Sequence, residues 1–160
     1  SCILQFIDER KKRVQNAICV LDTYGHVHFH QIRDNYCKIE YNIRNILPGK
    51  HGLHVHEEGN LTNGCQTTCA HYNPTNSKHG GALGQNRHRG DLGNVVIDEN
   101  YEGTGVIYAN INIYEILGRA LVLHEDEDDL GTNDTEESQK TGNAGKRISC
   151  GVIGITTFES

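Results

Sequence analysis

The sequence predicts an all-β protein built as an antiparallel sandwich or barrel. Three observations lead to this prediction. Short runs of alternating or β-rich residues recur along the 160-residue chain, and no apolar pattern with helical period reaches a useful length. The chain also has 18 glycines but only two prolines, a composition that favours many turns with positive φ.

Eight segments carry the strand pattern, and turn signals such as "DTYG", "LPG" and "DEN" separate most of them. In chain order the predicted strands are Asn16–Asp22, His26–Ile32, Tyr36–Ile43, Gly52–Glu57, Asn94–Asp98, Gly105–Ile111, Arg119–Glu125 and Cys150–Phe158. Residues 1–15 are predicted to form an N-terminal extension, and residues 16–160 to form one domain.

Two connections between predicted strands are too long for hairpin loops. They run from about Gly59 to Gly93 and from about Glu125 to Ser149. Long ordered loops in a compact domain usually carry function, so we expect the functional residues there.

Net charge and hydropathy exclude several classes of partner. The formal charge of −6 argues against nucleic acid, although it does not exclude a small anionic substrate at a locally positive site. No apolar run approaches the roughly 20 residues of a membrane span. The chain begins with uncharged residues followed by dense charge, the reverse of a secretory signal. We therefore expect a cytoplasmic protein, with packaging inside a particle as an open alternative.

Histidines on one predicted strand indicate a metal site. His54 and His56 are two residues apart, so both imidazoles point to the same side of the strand. Neutral imidazoles suit copper and zinc, and a carboxylate can complete a zinc tetrahedron. Two ions that share one ligand would use seven side chains, which are His54, His56, His71, His79, His88, Asp91 and His124.

A second row of histidines has a simpler interpretation. His26, His28 and His30 also share one strand face, but no loop carboxylate or other histidine obviously joins them. Val27 and Phe29 occupy the other face of that strand, which indicates a solvated histidine face, with weak metal binding as the alternative.

Ordered motifs along the chain resemble the copper/zinc superoxide dismutase family over residues 16–158. No single motif is specific, but their combination in this order is. They read "GLHVHEEG", "GC" at Gly64–Cys65, "HYNP", "KHGG", "RHRGDLGN", "LVLHEDEDDLG", "EESQKTGNAGKR" and "CGVIG".

This resemblance implies a Greek-key fold with one copper and one zinc ion per subunit. The implied copper ligands are His54, His56, His71 and His124, and the implied zinc ligands are His71, His79, His88 and Asp91. His71 is then a bridge between the two ions. Asp128 matches the family carboxylate that holds the free nitrogens of His54 and His79.

The resemblance also assigns residues around the ions. Arg147 matches the arginine that orients superoxide and, with His71, is implied to be catalytic. The implied channel rim consists of Glu136, Glu137, Lys140 and Thr141, and the implied disulfide joins Cys65 to Cys150. From composition alone, free thiols would be the default in a cytosolic protein.

Two departures from the family pattern stand out. Cys69 occupies a position where the family usually has glycine, and the stretch between Asp91 and His124 is about four residues shorter than usual. A homodimer is implied, with Gly52, Ile116, Gly118 and Ile153 in the neighbourhood of the contact.

The implied function is conversion of two superoxide anions and protons to O₂ and H₂O₂ by alternate reduction and reoxidation of copper, with zinc holding His71. The alternative is a copper-binding, dismutase-like chaperone or a metal-binding module without turnover. A chaperone would be expected to lack a copper ligand or to carry a CxxC motif. This sequence contains all four copper histidines and no CxxC, which favours the enzyme.

Overall fold

The computed structural model describes residues 15–157 and confirms the all-β prediction. The strands are β1 (Asn16–Val20), β2 (Gly25–Arg33), β3 (Tyr36–Arg44), β4 (Gly49–His56), β5 (Thr62–Cys65), β6 (Asp91–Ile97), β7 (Glu102–Ala109), β8 (Ala120–His124), β9 (Arg147–Val152) and β10 (Gly154–Ile155). Two short helices, α1 (Ile113–Ile116) and α2 (Glu136–Thr141), lie in connections. None of the helices in this part of the chain is long and apolar enough to cross a membrane.

Nine of the strands form two antiparallel sheets. One sheet has the order β10-β1-β2-β3-β7 and the other has the order β6-β4-β8-β9. Neighbours that are distant in sequence, such as β3 with β7 and β4 with β8, arise from connections between the sheets, as a Greek key requires. The two sheets do not pair with each other within the described residues, so the fold is a sandwich and not a closed barrel.

Strict alternation along the strands builds the core between the sheets. Val27 and Phe29 on β2 are fully buried, as are Leu53 and Val55 on β4. The histidines at alternate positions of β4 therefore point away from this core, toward the outer face of the four-stranded sheet. The long connections over residues 57–90 and 125–146 cover that face.

The C-terminal strand differs from the prediction because it divides. β9 pairs with β8 in one sheet, whereas β10 pairs with β1 in the other. Ile153 lies at the crossing, where its side chain is buried and its backbone exchanges hydrogen bonds with Gly118 and Arg119. Burial of Ile153 between the sheets is the physical reason that one continuous strand cannot form.

The remaining differences lie in the connections. The first long connection contains β5 and a 3₁₀ turn at Gln66–Thr68, and the predicted sixth strand ends at Ala109, before helix α1. Asn112 and Glu115 form a capping box that starts α1, a local signal present in the sequence. The predicted extension lies outside the described residues, except for Gln15.

Candidate metal centre

Strands β4 and β8 place three imidazoles side by side. His54 and His56 stand on the outer face of β4, and His124 ends the neighbouring strand β8. The register sets His54 opposite Val122 and His56 opposite Ala120. His71 joins them from the first long connection, through an isolated bridge to His56.

These four imidazoles form the first of two clusters. One nitrogen from each of His54, His56, His71 and His124 lies within 4.8 Å of the others, and all four residues are buried. The Nε2 atoms of His56 and His124 are 3.4 Å apart. The buried Nδ1 of His54 has no hydrogen-bond partner.

The second cluster surrounds one carboxylate oxygen. Oδ1 of Asp91 lies 3.1 Å from Nδ1 of His71, 2.9 Å from Nδ1 of His79 and 3.3 Å from Nδ1 of His88. The Nδ1 atoms of His71 and His88 are 3.1 Å apart. His79 Nδ1 is buried and lacks a hydrogen bond of good geometry despite its short distance to Asp91.

The grouping within 4.8 Å differs in one residue from the predicted zinc set. It contains His54 with His71, His79 and Asp91, whereas His88 is not a member of it. The rings of His54 and His71 are 4.0 Å apart, which brings His54 to the edge of the second cluster. His71 belongs to both clusters, and its Nδ1 lies 3.1 Å from Oδ1 of Asp91.

Asp128 contacts both clusters. Its Oδ2 lies 2.6 Å from Nε2 of His54, and its Oδ1 lies 2.7 Å from Nε2 of His79. Gly142, at φ 72°, lets the chain approach this carboxylate, since a Cβ there would lie 1.9 Å from Oδ1 of Asp128. The arrangement fixes which ring nitrogen of His54 and of His79 faces its cluster.

Backbone carbonyl groups orient the other two rings of the first cluster. His56 Nδ1 donates to the carbonyl oxygen of Cys69 at 2.8 Å, and His124 Nδ1 donates to that of Gly145 at 3.2 Å. Cys69 adopts φ 65° and ψ −148°, a conformation suited to glycine. This explains why glycine is usual at that position.

Burial keeps the first cluster neutral. It lowers the pKa of His56 to about 2 and that of His124 to about 4, and it lowers the pKa of His54 and of His71 as well. Neutral imidazole is the form that binds metal ions.

The second cluster has the opposite electrostatics. Burial lowers the pKa of His79, but the carboxylates of Asp128 and Asp91 outweigh it and raise that pKa to about 9. Burial raises the pKa of Asp91, whereas its contacts with His71, His79 and His88 lower it well below the usual range. A cation bound here would take the place of the proton that His79 holds.

The donor sets fit two different ions. Four imidazoles with converging nitrogens suit copper, and three imidazoles with one carboxylate suit tetrahedral zinc. The unpartnered buried Nδ1 atoms of His54 and His79 support this fit, since buried polar atoms without partners are costly unless something binds them.

An open cleft of about 1000 Å³ leads to the first cluster. Arg147 stands in its wall and donates from Nη1 to the carbonyl oxygen of Cys65 at 2.8 Å and to Thr68 Oγ1 at 3.0 Å. Helix α2 forms the rim with the four predicted residues, Glu136, Glu137, Lys140 and Thr141. Lys140 pairs with Glu136 at 2.8 Å, and Thr141 bonds Glu137 at 2.7 Å.

The predicted disulfide is present. Cys65 and Cys150 are bonded, with their Cα atoms 5.8 Å apart, and the bond ties the first long connection to β9. Cys19 and Cys37 are buried free thiols, whereas the exposed thiol of Cys69 donates to Glu58 Oε2 at 2.7 Å.

A family model matches most of the chain. Residues 23–153 match the model for copper/zinc superoxide dismutase. The chain belongs to the copper/zinc superoxide dismutase family. It is 46% identical over 146 residues to the superoxide dismutase [Cu-Zn] of Paramecium bursaria Chlorella virus 1, a match that covers 87% of this chain and 78% of that protein.

Two proteins with different names are almost as similar to the chain. The chain is 44% identical over 147 residues to the copper chaperone for superoxide dismutase of Rattus norvegicus, covering 89% of this chain but only 54% of the chaperone. The crystal structure of the clock protein EA4 superposes with a TM-score of 0.84 at 45% identity, covering 89% of this chain and 96% of that one.

Sequence reasoning missed several residues that support the clusters. His51 on β4 is buried, with its ring nitrogens 3.1 Å from the carbonyl oxygen of His124 and 2.7 Å from that of Leu47. Arg89 and Glu115 were also missed. The Asn112-x-x-Glu115 capping pattern could have revealed α1, but no local signal pairs Glu115 with Arg89.

The histidines of β2 lie outside both clusters. His26 and His28 line a separate cavity of about 370 Å³ on the outer face of the five-stranded sheet, and His30 Nδ1 lies 3.0 Å from Asn16 Oδ1. In the described part of the chain, the only groups of three or more potential ligands within 4.8 Å are the two clusters above. The three histidines therefore lie outside the metal clusters, but the predicted solvated face is wrong for His28, which is only 4% exposed.

Proposed function

We propose that the chain is a copper/zinc superoxide dismutase, with copper at the first cluster and zinc at the second. The observation that carries this proposal is His71, which belongs to two clusters of different donor chemistry. A family member that merely stored one ion would not need this arrangement.

Copper, when bound, supplies the one-electron couple for dismutation, and zinc has no redox chemistry of its own. The substrate is a small anion, and Arg147 offers a permanently charged guanidinium in the cleft beside His56 and His124. Arg147 is fixed by Cys65 and Thr68, so it can orient superoxide without first paying ordering entropy.

His71 is suited to hold and release a proton. Its Nδ1 stays beside Asp91, so the ring would keep its direction while a proton moves at Nε2. The products O₂ and H₂O₂ require two protons for every two superoxide anions, and one of these can pass through this nitrogen.

The test is superoxide turnover by the copper- and zinc-loaded chain. Arg147→Ala should lower turnover by about 10- to 1000-fold, because the positive charge that attracts and orients the anion is lost. His124→Ala should lower it at least as much by removing a donor from the first cluster. His26→Ala removes a histidine outside both clusters and should leave turnover unchanged. Equal turnover in all four proteins would contradict the assignment.

Copper delivery is the second candidate function, and the 44% identity to the rat chaperone favours it. This chain spans about half of that protein, so any part that the other half of the chaperone contributes to copper delivery is not represented in the matched region. The metal-loaded chain would then show no turnover of its own, yet it would activate an added copper-free dismutase.

We also propose that the chain forms a homodimer through the junction of β1, β9 and β10. Val20, Val152 and Ile155 are 62%, 44% and 64% exposed there, although all three are large and apolar. Of the residues expected near this contact, Ile116 and Ile153 are buried in the core, and Gly52 packs under Ala144 and Asp128. The contact therefore involves neighbours of the expected residues.

Light scattering tests the dimer. The chain should have twice its single-chain mass, and Val152→Asp should halve that mass by placing a charge in the contact. Val96→Asp, at a 52% exposed position on β6, is the matched control and should remain dimeric. A single-chain mass for the unmodified protein would refute the dimer but would leave the metal-centre proposal unchanged.

A further inference from the structure

An ion pair stands next to the second cluster but outside it. Arg89 lies between His88 and Asp91 in sequence, and its Nε and Nη2 donate to Oε1 and Oε2 of Glu115 at 2.9 and 2.8 Å. Both side chains are largely shielded, with 22% and 14% exposure. Such a bidentate contact fixes direction as well as distance.

Glu115 is itself held firmly. Its Oε2 also accepts from the backbone N–H of Asn112, which closes the capping box of α1. Ile113 and Ile116 of the same helix are fully buried. Ile113 N–H donates to Gln31 Oε1 at 2.7 Å, so α1 is anchored to β2.

The same helix also reaches the first long connection. Arg119 Nε donates to the carbonyl oxygen of Glu115 at 2.9 Å, and its Nη1 donates to that of Glu57 at 2.8 Å. The guanidinium of Arg119 lies over the ring of Tyr72 at 4.0 Å, next in sequence to His71. Helix α1 therefore contacts the segment that carries His88 and Asp91 directly, and the segment that carries His71 through Arg119.

Several contacts hold the segment that carries Arg89, and the ion pair adds to them. Gly90 is held between Val55 and Tyr72 by two backbone hydrogen bonds, and a Cβ on Gly90 would lie 2.1 Å from the Val55 carbonyl oxygen. The buried Arg87 donates to the carbonyl oxygens of Arg89 and Asp91. Arg89 supplies the contact that ties this segment outward to α1.

We propose that Arg89 and Glu115 are positioning residues that set how firmly the second cluster retains zinc. This inference rests on the proposed zinc site. Four donors must converge on one ion, and the pair removes motion of the segment that supplies His88 and Asp91. A mobile segment would let these two donors leave the ion one after the other, which is the usual route to metal loss.

The test is the rate of zinc transfer from the fully loaded chain to a chromogenic chelator. Glu115→Gln keeps an oxygen for the capping box but loses the ion pair, and Arg89→Gln loses it from the other side. Each should release zinc about 10-fold faster, at the low end of what partners of metal ligands contribute. The double variant should match the singles, because the two residues act as one unit.

Lys38→Gln is the matched control, since Lys38 pairs with Glu40 at 3.4 Å on the other sheet. Its zinc release should remain unchanged. Co²⁺ placed at the second cluster gives a second readout, and its visible spectrum should change in the Arg89 and Glu115 variants alone.

Two outcomes would overturn the inference, and they are distinguishable. In the first outcome, the unmodified chain takes up zinc, the variants release zinc at the same rate as the unmodified chain, and the metal-free variants melt at a lower temperature. The pair then supports only the fold. If the unmodified chain takes up no zinc, the proposed metal centre fails along with the inference.

Discussion

Asp128 shows how one residue can serve two clusters. Each of its oxygens contacts a different imidazole, and its side chain is fully shielded from solvent. An amide in its place could accept from only one of the two N–H groups, so one ring would lose its partner.

Asp128→Asn should therefore weaken metal binding by about 10- to 100-fold at one cluster or both. Competition with a chelator, read separately for copper and zinc, measures this. Glu127→Gln is the control, because this exposed neighbour forms its ion pair with Lys50, at 3.5 Å, away from both clusters. Equal retention by Asp128→Asn and the unmodified chain would show that Asp128 does not position the rings.

At the scale of elements, β9 joins the disulfide to the cleft. Cys150 lies within β9 and Arg147 begins it, while Cys65 both closes the disulfide and accepts a hydrogen bond from Arg147. The covalent link and the position of the guanidinium are therefore coupled through one short strand.

Reduction of the disulfide should lower the free energy of unfolding by about 4.5 kcal/mol, since the bond closes a loop of 85 residues. It should also lower superoxide turnover, because the carbonyl group that holds Arg147 gains freedom. Denaturant unfolding and turnover, measured with and without reductant, check both effects. Cys69→Ser removes the exposed free thiol and serves as the control for disulfide exchange. Unchanged stability after complete reduction would contradict the coupling.

At the scale of the whole molecule, the buried histidines make the metal-free protein sensitive to acid. In the folded state the pKa of His56 is about 2 and that of His124 is about 4, whereas the pKa of each is near 6.5 in the unfolded state. Because the folded pKa values are depressed, the unfolded state binds more protons as the pH falls below 6.5.

The free energy of unfolding of the metal-free chain should therefore fall between pH 6.5 and pH 4. The loss is at most about 3 kcal/mol for each of these two residues, a large share of a typical domain stability. Urea unfolding at several pH values measures it. His56→Gln, which cannot take up the proton, should flatten the dependence, and a stability that stays constant over this range would refute the explanation.

The sequence by itself determined the all-β class, most of the strands and the seven side chains of the two clusters. Alternation is a local property, so Leu53 and Val55 indicated the core face of β4 and left His54 and His56 on the other face. The motifs indicated the disulfide and the residues of the cleft, because they preserve residue types in a fixed order.

Only the tertiary structure decided how distant segments meet. The division between β9 and β10 depends on the space between the sheets that Ile153 fills, and the pairing of Arg89 with Glu115 spans 26 residues without any local signal. Such contacts arise from packing between elements, since burial and charge compensation are settled only when those elements come together.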